Sequence, residues 1–319
     1  MANNLIVSTS PHLHSGASTR KIMLDVLIAL SPAAVMAVVL FGLKALLLIA
    51  ISVCSAVLSE FVFNLITKKR QTIGDLSAAV TGLLLALTLP ASTKWWQVMV
   101  GAVFAIVVVK CLFGGIGCNF ANPAITARIF MLISFGTTVA GGTKTAFSEL
   151  TAGATPLAAI KAGADATALP SLTDMLVGNR GGAIGETCAI ALLVGFAYLL
   201  IKKVITWHTP VVFVGATFLL SLLFGGFDLT ASVYLVLGGG LLIGAIFMAT
   251  DYVTSPVTSW GKVVFAFGCA LFTVIIRYFG SLPEGVSYAI LLMNIISPYI
   301  EKLCAPKPLG AVSKKGGKA

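Results

Sequence analysis

The chain has little charge. Only 10% of its 319 residues are Asp, Glu, Lys or Arg, and 58% are hydrophobic, whereas about 25% of the residues of a soluble domain are charged. So few charged residues cannot cover a globule with polar surface, which excludes a soluble domain and predicts an integral protein of the lipid bilayer. The net charge of +10 comes from basic residues between apolar blocks. Membrane orientation explains that charge better than nucleic-acid binding does.

Several familiar chemical motifs are also missing. The sequence has no Walker motif, no dinucleotide-binding fingerprint and no CxxC pair. Most of its six cysteines fall inside apolar runs and are interpreted as small buried hydrophobic residues. We therefore expect no catalytic acid–base group, no metal site and no iron–sulfur cluster held by this chain alone.

Ten apolar blocks can be distinguished, and several of them approach the roughly 20 residues that span a bilayer. They cover residues 22–41, 45–66, 76–89, 95–113, 124–135, 183–205, 210–224, 231–249, 263–279 and 286–300. The predicted organisation is a cytoplasmic N-terminal segment (1–20), a first transmembrane repeat (21–135), an extracytoplasmic loop (136–182), a second repeat (183–301) and a basic cytoplasmic tail (302–319).

The two halves resemble each other in short stretches. Asp-Leu-Ser-Ala-Ala-Val at 75–80 matches Asp-Leu-Thr-Ala-Ser-Val at 228–233, and Leu-Pro-Ala-Ser-Thr-Lys-Trp at 89–95 loosely matches Ser-Pro-Val-Thr-Ser-Trp at 255–260. Because each half has five predicted spans, the second half is inverted relative to the first. This pattern predicts an all-α bundle of two inverted five-helix repeats.

The basic residues predict the orientation. Of the 21 Lys and Arg residues, six fall on the side opposite the N-terminus, Arg128 falls within a span, and fourteen share the side of the N-terminus. The positive-inside rule then puts both termini in the cytoplasm and residues 136–182 outside it. We expect a multi-pass protein of a prokaryotic inner (plasma) membrane.

A few charged residues fall inside or near apolar blocks, where charges are rare and usually functional. Glu60 is the deepest acid of the second block, and we interpret it either as the structural partner of Lys110 or as part of an ion pathway with it. Arg277 lies near the end of a block and is expected to reach the interface. Glycine-rich stretches at 114–123 and 238–240 predict interrupted helices near the midplane.

The longest segment that is not apolar contains Glu-Leu-Thr-Ala-Gly-Ala-Thr-Pro at 149–156. The chain resembles the D subunit of Rnf complexes in three stretches. They are this loop, the Gly-Gly-x-Gly-x-Asn run that precedes Asn122-Pro123, and Ala-Thr-Asp-x-Val-Thr-Ser-Pro at 249–256. The Rnf D subunit is related to the B subunit of the sodium-pumping NADH:quinone reductase. The resemblance covers residues 18–299 and implies a bundle similar to urea and ammonium channels.

The same resemblance implies a redox function. In these families FMN is joined through its phosphate to the threonine of the Gly-Ala-Thr sequence, which is Gly153, Ala154 and Thr155 here, by a separate flavin transferase. The family pattern has Asp and Ser or Thr where this chain has Glu149 and Ala152. A second, non-covalent flavin (riboflavin or FMN) is expected in the membrane part.

The implied activity is electron relay in an ion-translocating ferredoxin:NAD oxidoreductase, coupled to Na⁺ or H⁺ transport. Other subunits would bind ferredoxin and NAD. A cation near the covalent flavin would stabilise its reduced anion, and Lys144 and Lys161 are the nearest candidates in sequence, although both can also be interpreted as ordinary loop lysines. The alternative is a solute channel or permease without a redox role, which would leave the Thr155 loop unexplained.

Overall fold

A computed structural model describes residues 18–139, 143, 156–161, 170–280 and 284–306. These residues are helical apart from their connections and one isolated bridge between Thr143 and Gly182. The helices are α1 (Thr19–Phe41), α2 (Leu43–Ile66), α3 (Ser77–Thr88), α4 (Trp95–Val103), α5 (Pro123–Ser134), α6 (Gly136–Val139), α7 (Pro156–Lys161), α8 (Leu172–Val177), α9 (Ala189–Ile201), α10 (His208–Phe224), α11 (Leu229–Leu237), α12 (Leu241–Ile243), α13 (Ser259–Phe279) and α14 (Val286–Cys304).

Two helices continue in π-helical geometry. The segment Phe104–Cys111 extends α4, and the segment Gly244–Met248 extends α12. A π-helical turn rotates the side chains that follow it relative to an α-helix, and such turns are frequent at functional sites. One π segment lies in each half of the chain.

Among the described residues, three helices are long and apolar enough to span a membrane on their own: α1, α2 and α13. The bent pair Leu229–Leu237 and Leu241–Met248 makes a fourth span if it is counted as one. Shorter apolar helices, among them α3, α5, α9 and α10, correspond to most of the other predicted blocks. The all-helical membrane class is confirmed, and the count of ten spans stays a prediction.

Some helix contacts recur in the two halves. Helix α2 packs on α3 and α4, as α10 packs on α11 and α13, while α1 contacts α9 and α5 contacts α14 between the halves. Small residues bring the backbones close together: a β-carbon on Gly195 of α9 would lie 2.3 Å from the carbonyl oxygen of Ala29 in α1. Such contacts are the usual means of helix association in membranes.

The two glycine-rich stretches differ in structure. At residues 238–240 the helix is interrupted, as predicted, and the apolar helices on either side meet at a bend. Residues 114–122 instead connect two separate helices, because Asn122 caps the start of α5 by accepting hydrogen bonds from the amides of Ala124 and Ile125. With Pro123 at the first helical position, this stretch begins a helix and does not interrupt one.

Helix α13 runs from one end of the bundle to the other, and we call these ends the N-end and the α7-end. Its first residue, Ser259, follows the loop that lies beside the start of α1, and its last turn lies beside α7. Its 21 residues are about 30 Å long. Each end contains one cavity and one group of buried charges.

Candidate functional site

At the N-end, Glu60 and Lys110 form a closed ion pair. The Lys110 ammonium lies 2.9 Å from both carboxylate oxygens of Glu60, and Lys110 and Glu60 are 2% and 1% exposed. Ser77 Oγ accepts a third hydrogen bond from Lys110 at 2.6 Å, and the Thr72 hydroxyl donates to Glu60 Oε1 at 2.6 Å. All three ammonium protons have an acceptor, so each charge is compensated within the bundle.

A cavity of about 380 Å³, the N-end cavity, opens beside this pair and between the halves. Lys110, Asn119 and Asn122 from the first half line it together with Phe247 and Asp251 from the second, and most of its other lining is aliphatic. The side-chain oxygen of Asn119 is buried and has no hydrogen-bond partner in the described part of the chain. The volume is within the range of cofactor sites, which are mostly apolar with a few polar groups.

Two motifs that are far apart in sequence meet at this cavity. Asn122 precedes α5, and its side-chain amide donates to the carbonyl oxygen of Met248, 126 residues away, at 3.4 Å. In the loop that follows, the hydroxyl of Thr254 donates to Asp251 at 3.2 Å. Burial raises the pKa of Asp251, and hydrogen bonds from Val253 and Thr254 oppose that shift. The motifs at Asn122-Pro123 and at 249–256 therefore form one site.

At the α7-end, the helix interruption is stabilised by a buried cation. The chain bends by 60° at Gly238–Gly240, and Gly239 has a left-handed φ of 67°. The Arg277 guanidinium donates to the carbonyl oxygens of Leu235 and Gly238. A cation thus satisfies carbonyl groups that the end of α11 leaves without helical partners.

Four charged side chains meet at this interruption, and we call them the break network: Arg128, Glu186, Arg277 and Glu284. Arg128 forms an ion pair with Glu284, whose side chain is 23% exposed. Glu186 is 3% exposed, and its Oε1 accepts a hydrogen bond from the amide of Ala183 at 3.0 Å. Arg128 Nε, Arg277 Nε and Glu186 Oε2 are buried and have no hydrogen-bond partner among the described residues.

Arg180 lies behind the break network and fixes the loop that carries Glu186. Its guanidinium donates to the carbonyl oxygens of Glu186 at 2.8 Å and of Thr187 at 3.3 Å, and the residue is 2% exposed. Burial lowers the pKa of Arg180, an effect that the nearby Glu186 opposes. Arg180 thus adds a third buried guanidinium to this end of the bundle.

The second cavity, the α7 cavity, has a volume of about 340 Å³. Leu157 and Lys161 of α7 form one side of it, and Leu235, Arg277 and Tyr278 form the other. The cavity thus combines aliphatic surface, an aromatic ring and a buried cation. Its first lining residue in chain order, Leu157, lies in the first turn of α7, two residues after position 155.

The predicted site residues have different outcomes. Gly153, Ala154, Thr155 and Lys144 lie outside the described residues, so the attachment site itself stays a prediction. Lys161 lies at the α7 cavity, is exposed, and donates a hydrogen bond to the carbonyl oxygen of Gly280. Glu60 and Lys110 lie together, as the structural interpretation requires, and their function in an ion pathway stays a prediction.

Sequence reasoning placed Arg277 wrongly and overlooked Glu186 as part of a site. Arg277 was expected to reach the interface, but it is 5% exposed and turns inward to the carbonyl groups at the glycine interruption. The only sequence signals were a charge near the end of an apolar block and three consecutive glycines. Of the six cysteines, Cys111, Cys188 and Cys269 are buried, and the described residues contain no cluster suited to a metal ion.

Comparison with known proteins agrees with these motifs. The model of the NQR2, RnfD, RnfE family matches residues 6–310. The D subunit of the Na(+)-translocating ferredoxin:NAD(+) oxidoreductase complex of Acetobacterium woodii is 46% identical over 322 residues, 99% of each chain. The D subunit of the proton-translocating ferredoxin:NAD(+) oxidoreductase complex of Clostridium ljungdahlii is 39% identical over 320 residues, 97% of each chain. Because both the family model and these relatives extend over nearly all its residues, the chain belongs to the NQR2, RnfD, RnfE family.

Proposed function

We propose that this protein is the flavin-carrying membrane subunit of an ion-translocating ferredoxin:NAD oxidoreductase. Similarity to the D subunits of two such complexes over nearly the full chain supports the assignment to a complex. The flavin assignment rests on the α7 cavity, because its lining residue Leu157 follows Thr155 by only two positions in the sequence. Other subunits of the complex bind ferredoxin and NAD, and this chain relays electrons between them.

The covalent cofactor is FMN, joined as a phosphoester to the Thr155 hydroxyl. Gly153 and Ala154 before it leave room for the flavin transferase that makes the bond. Bound FMN supplies the redox chemistry, while the protein supplies position and electrostatics. The Glu149 and Ala152 positions differ from the family pattern, whereas the Gly-Ala-Thr-Pro core is complete.

The α7 cavity has the features that a flavin ring needs. Leu157 and Leu235 provide apolar surface for the ring system, and Tyr278 provides an aromatic neighbour. Arg277 adds a buried positive charge that favours the reduced, anionic form of the cofactor. Arg277 thus has the function that the sequence suggested for Lys144 and Lys161, which is to stabilise the reduced flavin anion. Lys161 also lines this cavity.

The N-end cavity is the proposed site of the second, non-covalent flavin. Its volume of about 380 Å³ is within the range of small-molecule sites, and its lining comes from both halves of the chain. Asn119 provides an unpaired oxygen for a polar edge of the ring, and Asp251 lies in the same lining. The two cofactors would then lie at opposite ends of the bundle.

The proposed architecture is ten spans in two inverted repeats, similar to a urea or ammonium channel, with both termini in the cytoplasm of a prokaryotic cell. The matching helix contacts of the two halves support it. In that orientation the N-end faces the cytoplasm and the α7-end faces outward. Lys110 lines the cytoplasmic cavity and Glu60 is paired with it, so both are candidates for an ion pathway. The names of the two relatives differ in the ion, Na(+) or proton.

The test is detection of the covalent flavin. The purified complex is run on a denaturing gel, viewed under ultraviolet light, and the fluorescent band is digested for mass spectrometry. We expect FMN mass on the peptide that contains Thr155. Thr151 is an internal control, because it lies in the same loop and lacks the preceding Gly-Ala. If neither threonine carries flavin in protein made with an active transferase, the redox assignment fails and a channel or permease becomes the better explanation.

A further inference from the structure

Glu186 is held in position from both sides. The loop before α9 turns back into the bundle, where the amides of Ile184 and Gly185 donate to the carbonyl oxygens of Leu89 at 2.9 Å and Leu87 at 2.7 Å. Arg180 binds the carbonyl oxygen of Glu186 itself at 2.8 Å. Burial of an ionisable side chain is costly, so a glutamate that a loop carries into the bundle requires a reason.

The Glu186 carboxyl group is only half satisfied. Its Oε1 accepts the Ala183 amide, whereas Oε2 is buried and has no hydrogen-bond partner in the described part of the chain. Oε2 faces Gly240, where a β-carbon would lie 3.2 Å from it and 3.9 Å from Arg128. Gly240 thus lies close to the free oxygen, and a side chain at this position would crowd it. A buried carboxylate without full hydrogen bonding is unfavourable, and protonation removes much of that cost.

The charges around Glu186 are close to balance. Arg128 from α5, Arg277 from α13 and Arg180 from its own loop favour the ionised form, and Glu284, which precedes α14, disfavours it. Three guanidinium groups against two carboxylates leave one positive charge in excess. Since arginine does not lose its proton in proteins, a change of charge within the break network must occur on one of its two carboxyl groups.

Glu284 is the less suitable of the two carboxyl groups. It is already paired with Arg128, and its side chain is partly exposed. Glu186 has no ion pair among the described residues, and its buried Oε2 has no hydrogen-bond partner there. Glu186 is therefore the group whose protonation the local structure permits most readily.

We infer that Glu186 is a proton-exchanging group that compensates the charge of electrons arriving in the α7 cavity. When the complex delivers an electron next to Arg277, the Glu186 carboxylate takes one proton from the aqueous phase, so that the net charge of the region stays constant. One carboxylate compensates one electron at a time. When the electron leaves, Glu186 returns the proton to water. The inference rests on the proposed flavin in the α7 cavity. It assigns a function to Glu186, which is not among the residues that line that cavity.

The test is a potentiometric titration of the covalent flavin in the purified complex, repeated at several values from about pH 6 to pH 9. We expect Glu186→Gln to reduce by one the number of protons that the complex takes up when the covalent flavin is reduced. Glu284→Gln is the matched control, because it removes the same charge from the same network. It should move the potential by a similar amount at every pH and leave the proton count unchanged.

A second variant guards against misfolding of Glu186→Gln. Gly240→Ala keeps the carboxyl group but places a methyl group 3.2 Å from Oε2, and the φ of Gly240 (−78°) suits alanine. We expect it to change the pH dependence of the potential too. An unchanged proton count in both variants would overturn the inference for Glu186. Absence of covalent flavin from the wild-type complex would instead contradict the proposed function, and the same denaturing gel detects it.

Discussion

The two ends of the bundle bury charge in different ways. At the N-end, Glu60 and Lys110 satisfy each other, and two hydroxyl groups complete their hydrogen bonds. At the α7-end, the break network leaves three buried polar atoms without partners among the described residues. A closed pair is expensive to break and resists a change of protonation, whereas an incompletely satisfied group can change its charge at lower cost.

The difference suggests a division of work between the ends. The Glu60–Lys110 pair stabilises the packing of α2 on the π segment at residues 104–111, next to the N-end cavity. The break network has the composition expected where charge arrives and leaves. Substitutions at each end should therefore differ in kind, with loss of stability at the N-end and changes in redox behaviour at the α7-end.

The largest expected effect is at the α7-end, where Thr155→Ala should abolish covalent flavin entirely because a phosphoester needs a hydroxyl oxygen. A loop substitution of this kind typically changes stability by no more than about 0.5 kcal/mol, so the variant should assemble. Ultraviolet fluorescence of the subunit and electron transfer through the complex are the measurements. Thr155→Ser is the control, because it retains the oxygen and is expected to keep some flavin. Full fluorescence in Thr155→Ala would mean that the attachment site is elsewhere.

At the N-end, Lys110→Met should destabilise the protein by about 3–5 kcal/mol, because it leaves Glu60 charged and buried without its partner. Thermal unfolding of the purified protein in detergent measures the loss. The double variant Glu60→Gln with Lys110→Met should recover most of it.

The same double variant also tests the ion pathway. If it folds and the reconstituted complex still transports ions at the wild-type rate, the Glu60–Lys110 pair is structural only. Loss of transport with retained folding would support a function in ion movement, as predicted from the sequence for Glu60.

A smaller effect is expected for Arg277→Gln, which should lower the reduction potential of the covalent flavin. A unit charge about 10 Å away contributes about 1.7 kcal/mol at an effective dielectric constant of 20, so the reduced-to-oxidised ratio at a fixed potential should fall by a factor of about 17. Potentiometric titration gives the value. Arg277→Lys keeps the charge and should retain most of the potential. Equal shifts in both variants would mean that the bonds to the α11 carbonyl groups matter more than the charge.

The smallest effect is expected from cysteine substitutions that report orientation. In a variant without native cysteines, Asp165→Cys should react with an impermeant reagent added from outside, and Lys69→Cys should be protected. Neither change should affect stability, because both positions are predicted to lie in loops. The opposite labelling pattern would reverse the assignment of the two ends to the two sides of the membrane.

Much of this architecture could be predicted from the sequence, because helix-forming apolar blocks and glycine interruptions are local signals. The predicted block at 76–89 became α3, and the interruption at 238–240 lies where three glycines predict it. The two cavities could not be predicted, because each is formed by helices that are distant in sequence. The inward turn of Arg277 depends on the carbonyl groups of Leu235 and Gly238, about forty residues away.

The packing of α7 has a consequence for biosynthesis. Pro156 and Leu157 are buried at the start of this helix, and Leu157 fits against Gly238 and Gly239 so closely that a β-carbon on either glycine would contact it. A modifying enzyme needs the neighbouring segment to be accessible, and a docked helix restricts that access. Flavin attachment would then precede the docking of α7, so that newly made subunits mature in a fixed order: insertion, modification, closure.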